Sequence, residues 1–150
     1  MINKGQRTTK SNMIVRKIEF IFYKESMIKR AIKEAREPTS AGHTGGGGHA
    51  VVSDPTAIQG IKAAEELKKV VLDDGGIIAM PERWVQVINA TYAHLDELER
   101  RVIRMRYDGF PADRIESEMG ISRDTYYAIL KEMYQYAIAA ACQVGIVRVF

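Results

Sequence analysis

The residues that most constrain the fold of this 150-residue chain are 111–133, which read PADRIESEMGISRDTYYAILKEM. The four-residue step from Ile115 to Met119 predicts one face of a short helix. Gly120 follows where a chain leaving a helix most needs positive φ, and Ser122 is a good N-cap for the next helix. The spacing therefore predicts two helices joined by a tight turn, which is a helix-turn-helix.

The second predicted helix has an apolar face at steps of three and four residues, formed by Tyr126, Ile129 and Met133. In a helix-turn-helix the second helix enters the DNA major groove, so the pattern favours DNA binding. A helical hairpin that binds nothing is the alternative. Glu116 departs from the pattern, because it stands where a small residue usually lets the two helices approach closely.

Composition limits the classes of protein to which the chain can belong. It is 46% apolar and 27% charged, which is typical of a globular protein. Its single cysteine, Cys142, cannot form an internal disulfide and suits a reducing cytoplasm. No apolar run approaches the ~20 residues of a membrane helix, and residues 1–12 lack the apolar core of a secretory signal. We therefore expect a soluble cytoplasmic protein that does not contact a membrane.

Charge is distributed unevenly along the chain, whose net charge is +3. Residues 1–36 hold ten basic and three acidic side chains, whereas residues 94–136, which include the predicted motif, hold seven basic and nine acidic ones. Neutralisation of phosphates usually supplies much of the affinity for DNA. We therefore predict that the N-terminal segment adds basic contacts that the motif lacks.

The N-terminal part of the chain divides into three predicted segments. Residues 1–12 are polar and basic and predict a disordered tail. Residues 13–36 predict one long amphipathic helix, with an apolar stripe that includes Ile14, Ile18, Ile21, Ile28 and Ile32. Residues 37–53 are rich in glycine and predict a flexible linker. The stripe must be covered either by the rest of the chain or by a second copy in a homodimer.

Residues 54–150 predict a helical domain. Asp54 and Pro55 mark the start of a helix that continues to Val71, and the apolar residues 77–80 predict a connector. Pro81 opens a helix with Trp84 in its core face, and Asp96 is the expected N-cap of another. In that helix we expect three residues to face the core: Leu98, Val102 and Met105. The whole chain is predicted to be all-α, with a long N-terminal helix, a Gly-rich linker and a C-terminal helix-turn-helix.

Residues 95–133, LDELERRVIRMRYDGFPADRIESEMGISRDTYYAILKEM, resemble region 4 of sigma-70-type factors. The layout of a long helix, a Gly-rich linker, a Trp-containing helix and this motif also resembles the RinA-type phage transcriptional regulators. The resemblance implies a phage or prophage protein that activates late genes at a promoter-proximal DNA site together with host RNA polymerase. It extends the sigma-like helix-turn-helix over residues 95–136.

The resemblance also implies which side chains meet DNA. The residues at reader positions of the second helix are Ser122, Arg123, Asp124, Tyr127, Ala128 and Lys131. Arg123 is the best candidate for guanine, because a guanidinium can bond O6 and N7 together. Asp124 either accepts from cytosine N4 or only orients Arg123. Phosphate contacts, which position a helix without reading sequence, suit Ser122, Lys131 and Arg114.

Other classes of function are weighed against this one. An enzyme is disfavoured, because the sequence has no cofactor fingerprint and no recognisable acid/base pair, and no metal site is expected at His43 and His49 in the linker. A small DNA-packaging subunit of the terminase type would assemble into a ring of many copies. An adaptor that binds RNA polymerase without touching DNA would ignore a change at Arg123.

Overall fold

The computed structural model describes the backbone of residues 4–37 and 65–148, with side chains described from Asn12 onward. These residues are mostly helical, which confirms the predicted all-α class. In chain order the elements are α1 (Lys4–Tyr23), α2 (Glu25–Arg36), β1 (Lys69–Val71), β2 (Ile77–Ala79), α3 (Pro81–His94), α4 (Glu97–Tyr107), α5 (Ala112–Met119) and α6 (Arg123–Gln143).

The chain forms two compact units. One contains Met1–Glu25 and Arg83–Phe150, and the other is Ser26–Glu82. The first unit therefore holds α1 and the whole of α4, α5 and α6, while the second holds most of α2 and both strands. The predicted linker falls almost entirely on residues 38–64, which lie outside the described residues, as does the first part of the helix predicted from Asp54.

The N-terminal helix differs from the prediction at both of its ends. It begins at Lys4, so the disordered tail predicted for residues 1–12 is wrong for the residues from Lys4 onward. The single helix predicted over residues 13–36 is also wrong, because Lys24 separates α1 from α2. The Lys24 N–H is shared between the carbonyls of Phe20, at 3.1 Å, and Ile21, at 3.2 Å. The bond to Ile21 spans three residues, as in a 3₁₀ turn, and so tightens the last turn of α1 where the α-helix ends.

A β-hairpin replaces the end of the helix predicted up to Val71. β1 pairs antiparallel with β2, and Val71 lies opposite Ile77. The turn closes with hydrogen bonds from the Gly75 N–H to the Leu72 carbonyl (2.9 Å) and from the Leu72 N–H to the Gly76 carbonyl (2.7 Å). Gly75 has φ 85°, which a side chain would oppose. A sequence pattern cannot distinguish a three-residue strand from the end of a helix. For the same reason the connector predicted at residues 77–80 is wrong, because Ile77–Ala79 form β2.

Ion pairs lie at both ends of the hairpin in the second unit. Arg30 of α2 pairs with Asp73 in the turn, and Arg36 pairs with Glu82 at the start of α3. Arg36 also donates to the Glu65 carbonyl at 2.9 Å. The apolar core of the second unit includes Ile28, Ala31, Val70, Leu72 and Ile78.

The first unit covers the apolar face of α1 with residues of the same chain. Ile18, Ile21 and Phe22 are buried, and the Phe22 ring centroid lies 5.7 Å from that of Tyr92 on α3. Trp84 is buried as predicted. The apolar stripe of α1 is therefore covered by the rest of its own chain and not by a second copy.

The predicted caps of α4 and α6 are confirmed. Asp96 and Glu99 form a reciprocal capping box at the start of α4, and Ser122 is the N-cap of α6. Pro111 is the N-cap of α5 and not its first helical residue. The inward face predicted for α4 is only partly correct. Leu98 is 41% exposed and Met105 is half-buried, whereas Val102 and Ile103 are fully buried.

The apolar spacing of the motif predicts that Met119 and Ile121 lie in the core, but both are only half-buried. Both lie beside the turn between α5 and α6, where one side of the chain is open to solvent. After α6, residues 146–148 of the described chain have no regular structure.

Candidate nucleic-acid interface

The turn between α5 and α6 fixes the direction of the predicted reader helix. Gly120 adopts φ 62° and ψ 36°, the left-handed conformation expected of it, and its N–H donates to the Glu116 carbonyl. The Ile121 N–H donates to the same carbonyl at 3.1 Å. Ser122 then caps α6, because its hydroxyl oxygen accepts from the Thr125 N–H at 3.1 Å. The turn is therefore closed entirely by local hydrogen bonds.

The first three turns of α6 have one buried and one exposed face. Tyr126, Ile129, Leu130 and Met133 are buried. The six predicted reader positions are all exposed: Ser122, Arg123, Asp124, Tyr127, Ala128 and Lys131. Tyr127 is 53% exposed, which is unusual for a large aromatic side chain and leaves its ring accessible. The structure thus brings these six residues together on one open surface.

Arg114, the seventh predicted site residue, lies on α5 and is held there by its neighbours. Its Nε donates to Glu118 Oε1 at 2.9 Å, and its guanidinium lies 4.6 Å from the centroid of the Phe110 ring. Both partners of this ion pair are about half exposed. Because exposed pairs of this kind contribute little stability, the guanidinium can exchange Glu118 for another anion.

Glu116 lies in the helix-turn-helix where the sequence departs from the motif. It is half-buried, and its Oε1 atom is shielded from solvent without a hydrogen-bond partner. Removing a carboxylate oxygen from water without a partner opposes folding. The helix-turn-helix nevertheless forms with Glu116 at this position.

A polar cluster that the sequence analysis did not identify joins α1 to the reader helix. Glu19 Oε1 accepts hydrogen bonds from the Arg106 Nε at 3.3 Å and from the Tyr107 hydroxyl at 2.8 Å. It also accepts from the Tyr134 hydroxyl on α6. Arg106 Nη1 donates to the Tyr126 hydroxyl at 2.8 Å. We call Glu19, Arg106, Tyr107, Tyr126 and Tyr134 the Glu19 cluster.

The Glu19 cluster is shielded from solvent, with the Arg106 and Glu19 side chains 25% and 18% exposed. Burial raises the pKa of the Tyr107 and Tyr134 phenols, and the neighbouring Glu19 carboxylate raises both further. Burial lowers the pKa of Arg106, but its bonds to Tyr126 and Glu19 outweigh this effect and raise the pKa overall. The cluster therefore holds one anion and one cation between two neutral phenols that donate hydrogen bonds.

One sequence signal could have located the cluster. Val15, Glu19 and Phe22 follow each other at steps of four and three, which places an acidic residue on the apolar side of α1. An acid in that position needs buried donors. The sequence does not say which donors, because Arg106 and Tyr134 lie 87 and 115 residues away.

An open groove of about 350 Å³ runs beside α6 next to the Glu19 cluster. Val15 of α1 and Arg106 of α4 line it together with six residues of α6: Tyr127, Leu130, Lys131, Tyr134, Gln135 and Ile138. Tyr127 and Lys131 belong both to this groove and to the predicted reader surface. The α1 helix therefore lies alongside α6.

The Tyr107 and Tyr134 phenols of the Glu19 cluster predict a loss of stability in alkali. Their pKa values are raised in the folded chain above the value of about 10 found in unfolded chains. The stability they contribute is complete below about pH 10 and falls as the pH rises toward the folded-state values. Denaturant titrations at several pH values should show this fall, and a Tyr107→Phe/Tyr134→Phe variant should show a shallower one. Equal slopes for parent and variant would contradict the assignment.

Comparison with protein-family models, with curated proteins and with solved structures finds no match to this chain. None of the helices in residues 4–37 and 65–148 is both long and apolar enough to cross a membrane. Within the same residues, no three or more His, Cys, Asp and Glu side chains are grouped so that they could hold a metal ion.

Proposed function

We propose that this chain is a sequence-specific DNA-binding transcriptional regulator that places the N-terminal half of α6 in the major groove. The observation that carries the proposal is the contrast between the two faces of α6. Its inner face is buried, while the side chains at reader positions are exposed on the helix that follows a tight Gly turn. An α-helix presented in this way fits the width of the major groove.

The chemistry of the exposed side chains supports a division of roles. Arg123 is exposed and has no ion-pair partner among the described residues, so its guanidinium is available to bond guanine O6 and N7. Asp124 reads cytosine N4 or orients Arg123. Lys131, Ser122 and Arg114 contact phosphates, and Tyr127 and Ala128 pack against the groove wall.

The phosphate contacts that the acidic motif lacks come from α1 in this proposal. Arg16 and Lys17 are exposed on α1, a helix whose other side packs in the same unit as α6. Because α1 is docked beside α6, its basic side chains are held at a fixed place and do not search for DNA from a flexible linker.

The resemblance to RinA-type regulators extends the proposal to the biological setting. The chain acts in the cytoplasm of a bacterial cell, as a phage or prophage activator of late genes that works with RNA polymerase. It needs no cofactor and catalyses no reaction. The two other candidates, a packaging subunit and an adaptor that binds polymerase without DNA, are outcomes of the test below.

The test begins with sequencing of the DNA fragments bound to the protein in cells. A strong site upstream of late genes is expected, and the isolated site then serves for affinity measurements by fluorescence anisotropy. Arg123→Ala should lose about 1–3 kcal/mol on this site and little on scrambled DNA, because it removes a base contact. Lys131→Ala should weaken both DNAs by similar factors, because a phosphate carries no sequence information.

Arg101→Ala is the matched control, since Arg101 is an exposed arginine of α4 outside the reader surface. It should leave the affinity for the specific site unchanged. Equal losses for Arg123→Ala and Lys131→Ala on both DNAs would contradict the division into reading and positioning. Polymerase binding that persists without DNA and ignores Arg123→Ala would favour the adaptor, and a ring of many copies would favour the packaging subunit.

A further inference from the structure

Two of the reader positions on α6 present mainly apolar surface. The Tyr127 side chain is 53% exposed, and Ala128 beside it is also exposed. Single exposed apolar side chains are common on proteins, but this pair lies among polar and charged neighbours on a proposed contact surface. The other exposed residues in these three turns are Ser122, Arg123, Asp124, Thr125, Lys131 and Glu132.

The ring of Tyr127 is held by a neighbouring ring. Its centroid lies 5.3 Å from that of Tyr126, and the two planes meet at 73°. Such edge-to-face contacts are favourable. Tyr126 is itself buried, and its hydroxyl accepts a hydrogen bond from Arg106 Nη1 at 2.8 Å. Because a tyrosine held in this way loses little conformational freedom when it binds, Tyr127 is ready for contact with a partner.

Each apolar side chain follows a polar reader by one helical turn. Tyr127 comes four residues after Arg123, and Ala128 comes four residues after Asp124, so each pair lies on the same side of α6. One turn rises about 5.4 Å, whereas successive bases of a strand are about 3.4 Å apart along the DNA axis. When α6 lies along the major groove, each apolar side chain is therefore one to two base pairs from the base that its polar neighbour reads.

The chemistry of the major groove identifies an apolar partner for this pair. Every base pair presents hydrogen-bond donors or acceptors there, and the apolar group among them is the methyl on C5 of thymine. A donor or acceptor pressed against the Tyr127 ring or the Ala128 methyl would lose water without gaining a partner, which is unfavourable. A C5-methyl group loses no hydrogen bond in the same place, and it gains from being removed from water.

We propose that Tyr127 and Ala128 read the C5-methyl group of a pyrimidine within two base pairs of the guanine that Arg123 contacts. This inference rests on the proposed function and names the chemical group that the apolar part of the same surface recognises. Two bases carry that group at the same place: thymine, and cytosine that has been methylated at C5. In this arrangement Arg123 sets the register, and the methyl contact adds specificity at a neighbouring base pair.

The experiment uses the full chain and the DNA site on which Arg123→Ala has located the guanine. The proposed function is thus tested first, and if no such site exists, both it and this inference fall. Uracil then replaces each thymine within two base pairs, one at a time, because uracil keeps the hydrogen-bonding groups of thymine and lacks only the methyl. One replacement should weaken binding by roughly fourfold, the factor expected for burial of a group of this size.

A second pair of DNAs distinguishes the two sources of the methyl group. Cytosine and 5-methylcytosine are compared at the same position, and the methylated base should bind more tightly by a similar factor. An effect of the methyl in thymine alone would name thymine as the ligand, and an effect in cytosine alone would name 5-methylcytosine. The inference is overturned if neither methyl changes the affinity while Arg123→Ala still shows its base contact.

Two variants show whether the methyl is read by these side chains. A Tyr127→Ala/Ala128→Ser variant removes both apolar contacts at exposed positions, so it should bind thymine and uracil DNA equally. Lys131→Ala is the matched control on the same face of α6. It should weaken binding to both DNAs and keep the roughly fourfold difference between them, because a phosphate contact does not sense the methyl. Far-UV circular dichroism should show that both variants keep the helical fold. A double variant that still prefers thymine would overturn the inference, as would a Lys131→Ala variant that loses the preference.

Discussion

Glu19→Ala should destabilise the first unit by about 2–4 kcal/mol, somewhat less than the loss expected when a fully buried ion pair is broken. The substitution removes the one acceptor shared by the Arg106 guanidinium and the Tyr107 and Tyr134 hydroxyls. It leaves a partly buried cation and two half-buried phenols without this acceptor. Trp84, buried in the same unit, provides a fluorescence signal for denaturant unfolding.

Two further variants separate charge from hydrogen bonding at this position. Glu19→Gln keeps a carbonyl oxygen that can accept from the tyrosines but loses the charge opposite Arg106, so its loss of stability should be intermediate. Glu34→Ala removes an exposed carboxylate from α2 and should change stability by less than about 0.5 kcal/mol. A Glu19→Ala variant as stable as Glu34→Ala would show that the cluster contributes nothing to folding.

The Glu19 cluster also bears on the proposed DNA surface. Tyr126 and Tyr134 lie on α6 on either side of Leu130, and both join the network through Arg106 or Glu19. The orientation of the exposed face that carries Arg123 therefore depends on α1. Deleting α1 would remove the buried Ile18, Ile21 and Phe22 from the core of the first unit, so a loss of DNA binding after such a deletion would not report on basic contacts alone.

Ile115→Ala should destabilise the helix-turn-helix by about 2–5 kcal/mol, because Ile115 on α5 is completely buried and the shorter side chain leaves a cavity. Ile115→Val removes only one methylene group and should cost about 0.5–1.5 kcal/mol. Ile121→Ala makes the same chemical change at a half-buried site in the turn, where solvent can fill the space. Its loss should be clearly smaller than that of Ile115→Ala.

The three variants are compared by denaturant unfolding followed by circular dichroism, with the slope against denaturant checked for each. An Ile121→Ala variant that loses as much stability as Ile115→Ala would show that the turn is packed more tightly than its exposure indicates. An Ile115→Ala variant that melts like the parent would remove α5 from the core of the first unit.

The sequence by itself determined the features whose causes lie within a few residues of each other. Asp96 with Glu99, Gly120 and Ser122 each satisfy backbone groups at most four or five positions away, and Pro81 starts α3. Local hydrogen bonds and backbone preferences of this kind do not depend on the rest of the chain. The helix boundaries and the tight turn between α5 and α6 follow from them.

Tertiary structure decided what depends on partners far along the chain. The strands of the hairpin are too short to show a periodic pattern in the sequence, and their stability comes from the burial of Val70 and Ile78. Which residues of α4 face inward was fixed by packing, so Ile103 is buried and Leu98 is exposed. The Glu19 cluster joins residues as many as 115 positions apart. No local preference encodes such a contact, because it exists only once the helices have packed and removed these polar groups from water.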